Sequence, residues 1–259
     1  MTWLLEAGDA RVRVDPEAGG RIAELEVGGL QLLVARERDP LRWGCYPMAP
    51  WAGRVRDGRF RHAGRVHRLP LRAPPHAIHG TVYERPWRDE GDGRLSIDVG
   101  PDWSFAGHAV QQISLERDSL WLRLELHAER EPFPASLGWH PWFRRELGRG
   151  APAQLSLEAR RMYLRDPSGI PTGETVPPPP GPWDDCFTEL EADPLVRWPG
   201  ALELSLQATV LHWVVYDEPA HALCVEPQTG PPDALNGAPE LVLPGRPMVA
   251  ELRLAWRPA

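Results

Sequence analysis

The stretch D-S-L-W-L-R-L-E-L-H-A, residues 118–128, alternates apolar and polar side chains with a period of two. Leucines at positions 120, 122, 124 and 126 fall on one face, and a tryptophan, an arginine, a glutamate and a histidine fall on the other. Because successive side chains of a strand point to opposite faces, this pattern predicts a β-strand with one buried side. Helical spacing of apolar residues is nearly absent from the rest of the chain.

The same pattern extends in both directions from this strand. Residues 111–122 read as two strands joined by a turn at Arg117-Asp118, and further hairpins are predicted at Gly28-Gly29 and Ala63-Gly64. More alternating segments begin at residues 154, 201, 210, 222 and 248. Short strands separated by Gly, Pro and Asp turns predict an all-β fold, an antiparallel β-sandwich.

The longest segment without this alternation spans roughly residues 166–182 and contains four consecutive prolines, Pro177 to Pro180. A linker between two domains and a rigid surface loop are both compatible with it. Strand patterning of the same kind continues on both sides, so we favour the loop and predict a single domain over residues 1–259.

Composition excludes several classes of function. The chain has 259 residues with a formal net charge of −7, and its 29 basic residues are scattered, which argues against nucleic-acid binding. No apolar run approaches the roughly 20 residues of a membrane helix, and the first residues do not resemble a signal peptide. Three widely spaced cysteines form neither a disulfide framework nor a zinc motif, so we expect a cytoplasmic protein.

Arg54 lies in Y-P-M-A-P-W-A-G-R-V-R-D-G-R-F, residues 46–60, directly after a glycine. Glycine lets the backbone approach a ligand, and arginine offers a fixed fork of donors. The alternative is an arginine on the surface of a hairpin.

His76 and His79 lie three residues apart in P-P-H-A-I-H-G, residues 74–80. Prolines before them and Gly80 after them make a helical metal site improbable, and no nearby Cys or acid completes a ligand set, so we predict no metal. His79 could instead direct a ring nitrogen at a ligand.

His140 lies among aromatic residues in A-S-L-G-W-H-P-W-F, residues 135–143. Aromatic faces pack against the C–H bonds of a sugar, and an imidazole transfers protons near neutral pH. A buried aromatic cluster with a hydrogen-bonded histidine would give the same pattern.

Two further segments carry acids. G-P-W-D-D-C-F-T-E-L, residues 181–190, has adjacent aspartates that would face opposite ways on a strand. C-V-E-P-Q-T-G-P-P-D-A-L-N, residues 224–236, places Glu226 at the expected end of an apolar strand, just before a turn rich in proline.

Five pieces in one order, A-G-R-V-R-D-G-R-F, I-H-G, G-W-H-P-W-F, W-D-D-C-F and C-V-E-P-Q-T, resemble the aldose 1-epimerase (galactose mutarotase-like) family. This resemblance implies a large antiparallel β-sandwich with a sugar cleft on one face. It further implies interconversion of the α and β anomers of a free hexose by acid–base ring opening and reclosure, with no cofactor and a small-molecule sugar as the partner. Both a monomer and a homodimer are compatible with the sequence.

By the same resemblance, Glu226 is the expected general base and His140 the expected general acid. Arg54, His79 and Asp184 are the expected substrate-binding residues, with Asp184 preferred over Asp185. The chain departs from many relatives by having Gly53 where they have asparagine. From unperturbed pKa values we expect an ionised Glu226, and a protonated His140 if a nearby acid supports it.

Two other functions stay open at this stage. A hexose-6-phosphate 1-epimerase would need a cationic phosphate pocket, which the scattered arginines neither prove nor exclude. A non-catalytic carbohydrate-binding protein would keep the cleft but would need no acid–base pair. A glycoside hydrolase is less favoured, because its usual device is two carboxylates flanking one bond.

Overall fold

A computed structural model describes residues 2–259 and contains 25 strands in that range. Two short 3₁₀ helices, Pro16–Ala18 and Arg56–Gly58, are the helical elements among them. In chain order the strands are β1 Trp3–Ala7, β2 Ala10–Asp15, β3 Arg21–Val27, β4 Leu30–Gln31, β5 Cys45–Met48, β6 Arg54–Val55, β7 Arg59–His62, β8 Arg65–Arg68, β9 Ala77–Ile78, β10 Arg88–Gly91, β11 Arg94–Asp98, β12 Gly107–Leu115, β13 Ser119–Ala128, β14 Phe133–Ala135, β15 Gly138–Arg144, β16 Gln154–Ser156, β17 Ala159–Arg165, β18 Pro171–Val176, β19 Asp184–Leu190, β20 Leu195–Trp198, β21 Leu202–Ala208, β22 His212–Tyr216, β23 Ala222–Gln228, β24 Glu240–Val242 and β25 Met248–Pro258.

Two antiparallel sheets contain most of these strands. The larger has 11 strands in the order β1-β2-β3-β5-β15-β23-β22-β19-β17-β18, with β4 paired to β3. The smaller has eight in the order β10-β11-β12-β13-β25-β21-β20-β16. Three two-stranded ribbons, β14-β24, β6-β9 and β7-β8, complete the fold. The prediction of an all-β antiparallel sandwich is confirmed.

The strand predicted over residues 118–128 lies inside the smaller sheet. It is β13, paired with β12 and β25, and its four leucines are completely buried while the alternate side chains are partly exposed. One hydrophobic cluster joins leucines of this sheet to apolar residues of the larger one, including Leu124, Leu252, Leu25 and Val225. Burial of apolar side chains between two sheets is the main stabilising contribution in such a fold.

The predicted hairpins are present. The turn at residues 116–118 joins β12 to β13, Gly28-Gly29 joins β3 to β4, and Ala63-Gly64 joins β7 to β8. The segment from 166 to 182 is less irregular than expected, because β18 forms within it and pairs with β17. The side chains of β18 are mostly polar and exposed, so this edge strand lacks the alternation of apolar and polar residues that predicts a strand.

Glu226 does not end its strand, contrary to expectation. β23 continues through Pro227 to Gln228, with β15 on one side and β22 on the other. Two neighbouring strands therefore fix the backbone at Glu226. All three cysteines are free and buried. No helix among the described residues has the length and apolar character that a membrane span requires.

Candidate active site

A cavity of about 380 Å³ opens on the face of the larger sheet that points away from the other sheet. Its volume lies in the range of small-molecule sites, about 300–1,000 Å³. Five adjacent strands, β5, β15, β23, β22 and β19, supply its floor with side chains at even-numbered positions, namely Tyr46, His140, Trp142, Glu226, Gln228, Val214, Tyr216 and Asp184. The period of two brings these residues to one face although they are far apart in sequence.

His140 and Glu226 face each other across two paired strands. The pairs Gly138–Gln228 and Trp142–Cys224 set a register that places the two side chains side by side, and Tyr46 is the partner of His140 on the other side. His140 Nε2 lies 3.2 Å from Glu226 Oε1, and both residues are at most 5% exposed. The structure thus brings the expected acid and base into direct contact.

The protonation of this pair differs from the expectation based on unperturbed groups. Burial raises the pKa of Glu226 well above its usual range, and Asp184 adds to the rise, while Arg54 and the Gln228 amide oppose it. Burial also lowers the pKa of His140 to about 3. Removal from water disfavours both charged forms, so the structure favours a neutral carboxyl beside a neutral imidazole. The neutral pair and the ionic pair carry the same number of protons and differ only in which partner holds the one between them.

Aromatic rings hold the imidazole in place. The His140 ring stacks between Tyr46, with ring centroids 5.0 Å apart, and Trp142, 5.3 Å apart with planes 7° from parallel. Trp142 Nε1 is buried without a hydrogen-bond partner in the described chain. Such a donor is costly to bury unless a ligand uses it.

Gln228 is completely buried and donates a hydrogen bond from Nε2 to Glu226 Oε2 at 3.1 Å. Its Oε1 has no partner among the described residues, although it is buried. The carboxyl of Glu226 is therefore held on one oxygen by Gln228, while the other faces His140. Gln228 was not singled out from the sequence, although its position two residues after Glu226 places it on the same face of a strand.

Arg54 and Asp184 form an ion pair at the wall of the cavity, with Nη2 3.1 Å from Oδ2. Arg165 Nη1 lies 3.0 Å from the same oxygen, and its Nε lies 2.9 Å from Asp185. Asp184 is among the residues that line the cavity, whereas Asp185 lines a smaller neighbouring one. Arg165 is a further residue that sequence reasoning missed, because β17 carries no motif.

His79 reaches the cavity from the ribbon of β6 and β9, in which Arg54 pairs with Ile78. The backbone of His79 has a positive φ of 57°, and its N–H donates to the carbonyl of Gly53. A Cβ at the following Gly80 would lie 1.9 Å from the carbonyl oxygen of Ala49, so only glycine fits there. Burial lowers the pKa of His79 well below its usual range, and its ring has no hydrogen-bond partner among the described residues.

Gly53 has a φ of 68°, and a Cβ there would lie 3.0 Å from three atoms of Pro232. Pro232 also lines the cavity. The space beside Gly53 is therefore filled by a proline ring, which leaves an asparagine side chain little room.

Three side chains could supply metal ligands. One donor atom from each of His79, His140 and Glu226 lies within 4.8 Å of the others. Two histidines and a carboxylate are a donor set that zinc accepts. Among the described residues, the Nδ1 atoms of both histidines lack the partner that orients the imidazoles of metal sites. The absence of a resident metal stays a prediction.

The family model described as aldose 1-epimerase matches residues 1–189. A curated relative, the uncharacterized protein YihR of Escherichia coli K12, is 24% identical over 184 residues, which is 66% of this chain and 59% of the relative. The match thus spans less than two thirds of that protein.

Solved structures resemble the whole chain. A galactose mutarotase-like protein from Clostridium acetobutylicum gives a TM-score of 0.87 at 16% identity, covering 99% of this chain and 95% of that one. The galactose 1-epimerase of Lactobacillus acidophilus gives 0.82 at 17%, covering 99% and 94%. The Slr1438 protein of Synechocystis gives 0.82 at 24%, covering 100% and 96%. At these identities the likeness shows the fold, and the family model, which covers most of the chain, shows the family. The chain is a member of the aldose 1-epimerase family.

Proposed function

We propose that the protein is a mutarotase, which interconverts the α and β anomers of a free hexose. The observation that carries this proposal is the contact of His140 Nε2 with Glu226 Oε1, two buried groups 3.2 Å apart at a cavity of about 380 Å³. The anomeric hydroxyl oxygen and the ring oxygen of a hexose are bonded to the same carbon. An acid and a base that contact each other are therefore close enough together to act on both oxygens.

The reaction moves two protons and breaks one bond. Glu226, as carboxylate, takes the proton of the anomeric hydroxyl, while the His140 imidazolium gives a proton to the ring oxygen and the bond from that oxygen to the anomeric carbon breaks. The open aldehyde rotates about one carbon–carbon bond, and the reverse transfers close the ring on the other face. The active ionic pair differs from the neutral pair by one proton transfer over 3.2 Å. Sugar hydroxyls that donate to the carboxylate would favour the ionic form.

Arg54, His79 and Asp184 are proposed to hold sugar hydroxyls. Arg54 and Asp184 are already oriented by their ion pair, and Nδ1 of His79 is buried without a hydrogen-bond partner in the described chain. Gln228 and Trp142 present one buried acceptor and one buried donor that also lack partners among residues 2–259, which a polyhydroxyl ligand would satisfy.

Charge balance favours a free hexose over a hexose 6-phosphate. Three arginines line the cavity together with three aspartate or glutamate side chains besides Glu226. Each of these arginines has a carboxylate partner: Arg54 pairs with Asp184, Arg42 with Asp39 and Arg72 with Glu84. A phosphate dianion would have to displace one of these carboxylates from its arginine or lie near another carboxylate. Neutral hydroxyls can donate hydrogen bonds to the carboxylates and accept them from the arginines.

A purely sugar-binding role fits the pair less well. Keeping an acid and an imidazole out of water costs free energy, and binding alone would be served by neutral amides and hydroxyls. We also propose a cytoplasmic location, which the three free cysteines support.

Polarimetry tests the proposal. Freshly dissolved α-glucose, α-galactose and their 6-phosphates are followed with the wild-type protein and with His140→Asn. Faster equilibration of a free hexose that is lost in the variant is the expected result. Acceleration only of a sugar phosphate would favour the 6-phosphate epimerase, and calorimetric binding of hexose without acceleration would favour the binding protein.

A further inference from the structure

Arg21 is a charged residue in an unusual place. It begins β3, is 0% exposed, and among residues 2–259 no carboxylate forms an ion pair with it. Its guanidinium donates instead to four backbone carbonyls, those of Ala18 at 2.6 Å, Pro40 at 2.9 Å, Trp43 at 3.0 Å and Tyr83 at 2.8 Å. Burial lowers the pKa of Arg21 to about 10, so the group stays charged at neutral pH. A buried charge without a counter-ion is expensive, and a structural purpose alone is better served by apolar residues.

The carbonyls that Arg21 binds belong to the surroundings of the cavity. Pro40 and Trp43 lie in the segment 39–43, which we call the rim segment, because three of its residues, Asp39, Leu41 and Arg42, line the cavity. This segment belongs to no strand or helix, so ladder hydrogen bonds do not hold it. Arg21 Nη1 donates to the carbonyls of Pro40 and Trp43 and so binds the rim segment near both of its ends.

The same guanidinium is linked to the acid–base pair through a single ring. Its central carbon lies 4.0 Å from the centre of the Trp43 ring and 5.1 Å from that of Tyr46. Tyr46 stacks on His140 at 5.0 Å, and its hydroxyl donates to the carbonyl of Leu41 in the rim segment. Arg21, Tyr46 and His140 thus form a continuous stack that reaches the proposed acid.

We propose that Arg21 is a positioning residue for the reaction, holding the rim segment over the cavity and Tyr46 against His140. This inference rests on the proposed function. A lysine at this place would keep the charge but lacks the planar fork that reaches four carbonyls in different directions. A displacement of about 1 Å at a reacting group can lower the rate about 10²-fold. We therefore expect replacement of Arg21 to lower kcat as well as to weaken hexose binding.

Kinetics on Arg21→Lys and Tyr46→Leu test the inference. Leu124→Ala is the control, because it removes a buried side chain of the smaller sheet, away from the cavity, and also lowers stability. For each variant kcat, KM and Tm are measured with the hexose that the wild type accelerates most. We expect kcat to fall about 10- to 100-fold in both test variants and KM to rise in Arg21→Lys. Leu124→Ala should lose Tm but keep both kinetic constants.

Three results would overturn the inference. Kinetic constants of Arg21→Lys equal to those of Leu124→Ala would show that Arg21 is only structural. Unchanged kcat in Tyr46→Leu would contradict the proposed link between Arg21 and His140. This variant keeps Arg21 with its four carbonyl partners, so it can be tested even if Arg21→Lys does not fold. A wild-type protein that accelerates no aldose would overturn the proposed function and this inference with it, whereas an active wild type isolates the failure to Arg21.

Discussion

The two faces of the larger sheet are built by the same strands and differ in what burial does. In β23, Leu223 and Val225 point to the hydrophobic cluster shared with the smaller sheet, while Glu226 and Gln228 line the cavity on the other face. These four side chains are at most 2% exposed. On the inner face burial stabilises the fold, because apolar surface leaves water.

On the outer face burial acts against stability. Glu226 and His140 are desolvated, and polar atoms of His79, Trp142 and Gln228 have no partner in the described chain. Groups that the fold keeps at such a cost are found at functional sites. The exposed fraction alone does not distinguish Val225 from Glu226, because both side chains are buried. A buried side chain therefore indicates the site only where it is also polar.

The largest expected effect is on turnover. Glu226→Gln keeps the shape of the side chain and removes the base, so we expect hexose mutarotation to fall by about 10² to 10⁴. Polarimetry on a purified variant with wild-type circular dichroism measures it. Turnover within a factor of two of the wild type would remove Glu226 from the reaction.

Leu223→Ala should do the opposite, although it lies three residues away on the same strand. Removing a completely buried leucine from the inner face is expected to lower the free energy of unfolding by about 2–5 kcal/mol. Urea denaturation measures this change, and kcat under folding conditions should stay near that of the wild type. A large loss of kcat without loss of stability would mean that the two faces are not separable.

The pH dependence of stability should differ between Glu226→Gln and the wild type. The native carboxyl has a raised pKa, so above the ordinary value of about 4.5 the unfolded chain releases a proton that the native protein keeps. The contribution of Glu226 to stability is therefore lost as pH rises through this window, by about 1.4 kcal/mol per pH unit until the raised pKa is reached, and the comparison of the two proteins isolates this contribution from that of His140. A neutral glutamine has no such loss.

Urea denaturation of both proteins between pH 5 and pH 7 measures this difference. The advantage of Glu226→Gln should grow as pH rises. A difference that is constant with pH, or that shrinks, would show that Glu226 is ionised in the native protein.

The smallest effect is expected at Gly53→Asn. Asparagine tolerates a positive φ, but its Cβ meets Pro232 at 3.0 Å, so we expect a loss of about 1 kcal/mol in unfolding free energy and a raised KM. In Gly53→Asn/Pro232→Ala the loss should be smaller, because the ring that crowds position 53 is gone. Thermal denaturation and polarimetry of both variants test this, and equal losses would show that Pro232 is not the obstacle.

Much of this protein is readable from local pattern. Period-two alternation in residues 118–128 predicts a half-buried strand, and glycine pairs predict the hairpin at Gly28-Gly29, because both depend on neighbours in sequence. The residues expected at the site, Glu226, His140, Arg54, His79 and Asp184, all line one cavity, and their roles stay predictions. Strand β18 was missed since its exposed polar residues carry no alternation.

The order of residues along the chain is enough to predict the all-β class, many of the strands and the side chains available for proton transfer, since alternation depends on neighbours in sequence. Which strands are neighbours, and so which side chains meet, depends on long-range pairing that no local pattern contains. Register across β5, β15 and β23 puts Tyr46, His140 and Glu226 in one row, and burial in that row favours the neutral forms of the two groups that were expected to be charged. Arg21 shows the same limit, because its four carbonyl partners and the stack leading to His140 come from segments that no motif connects.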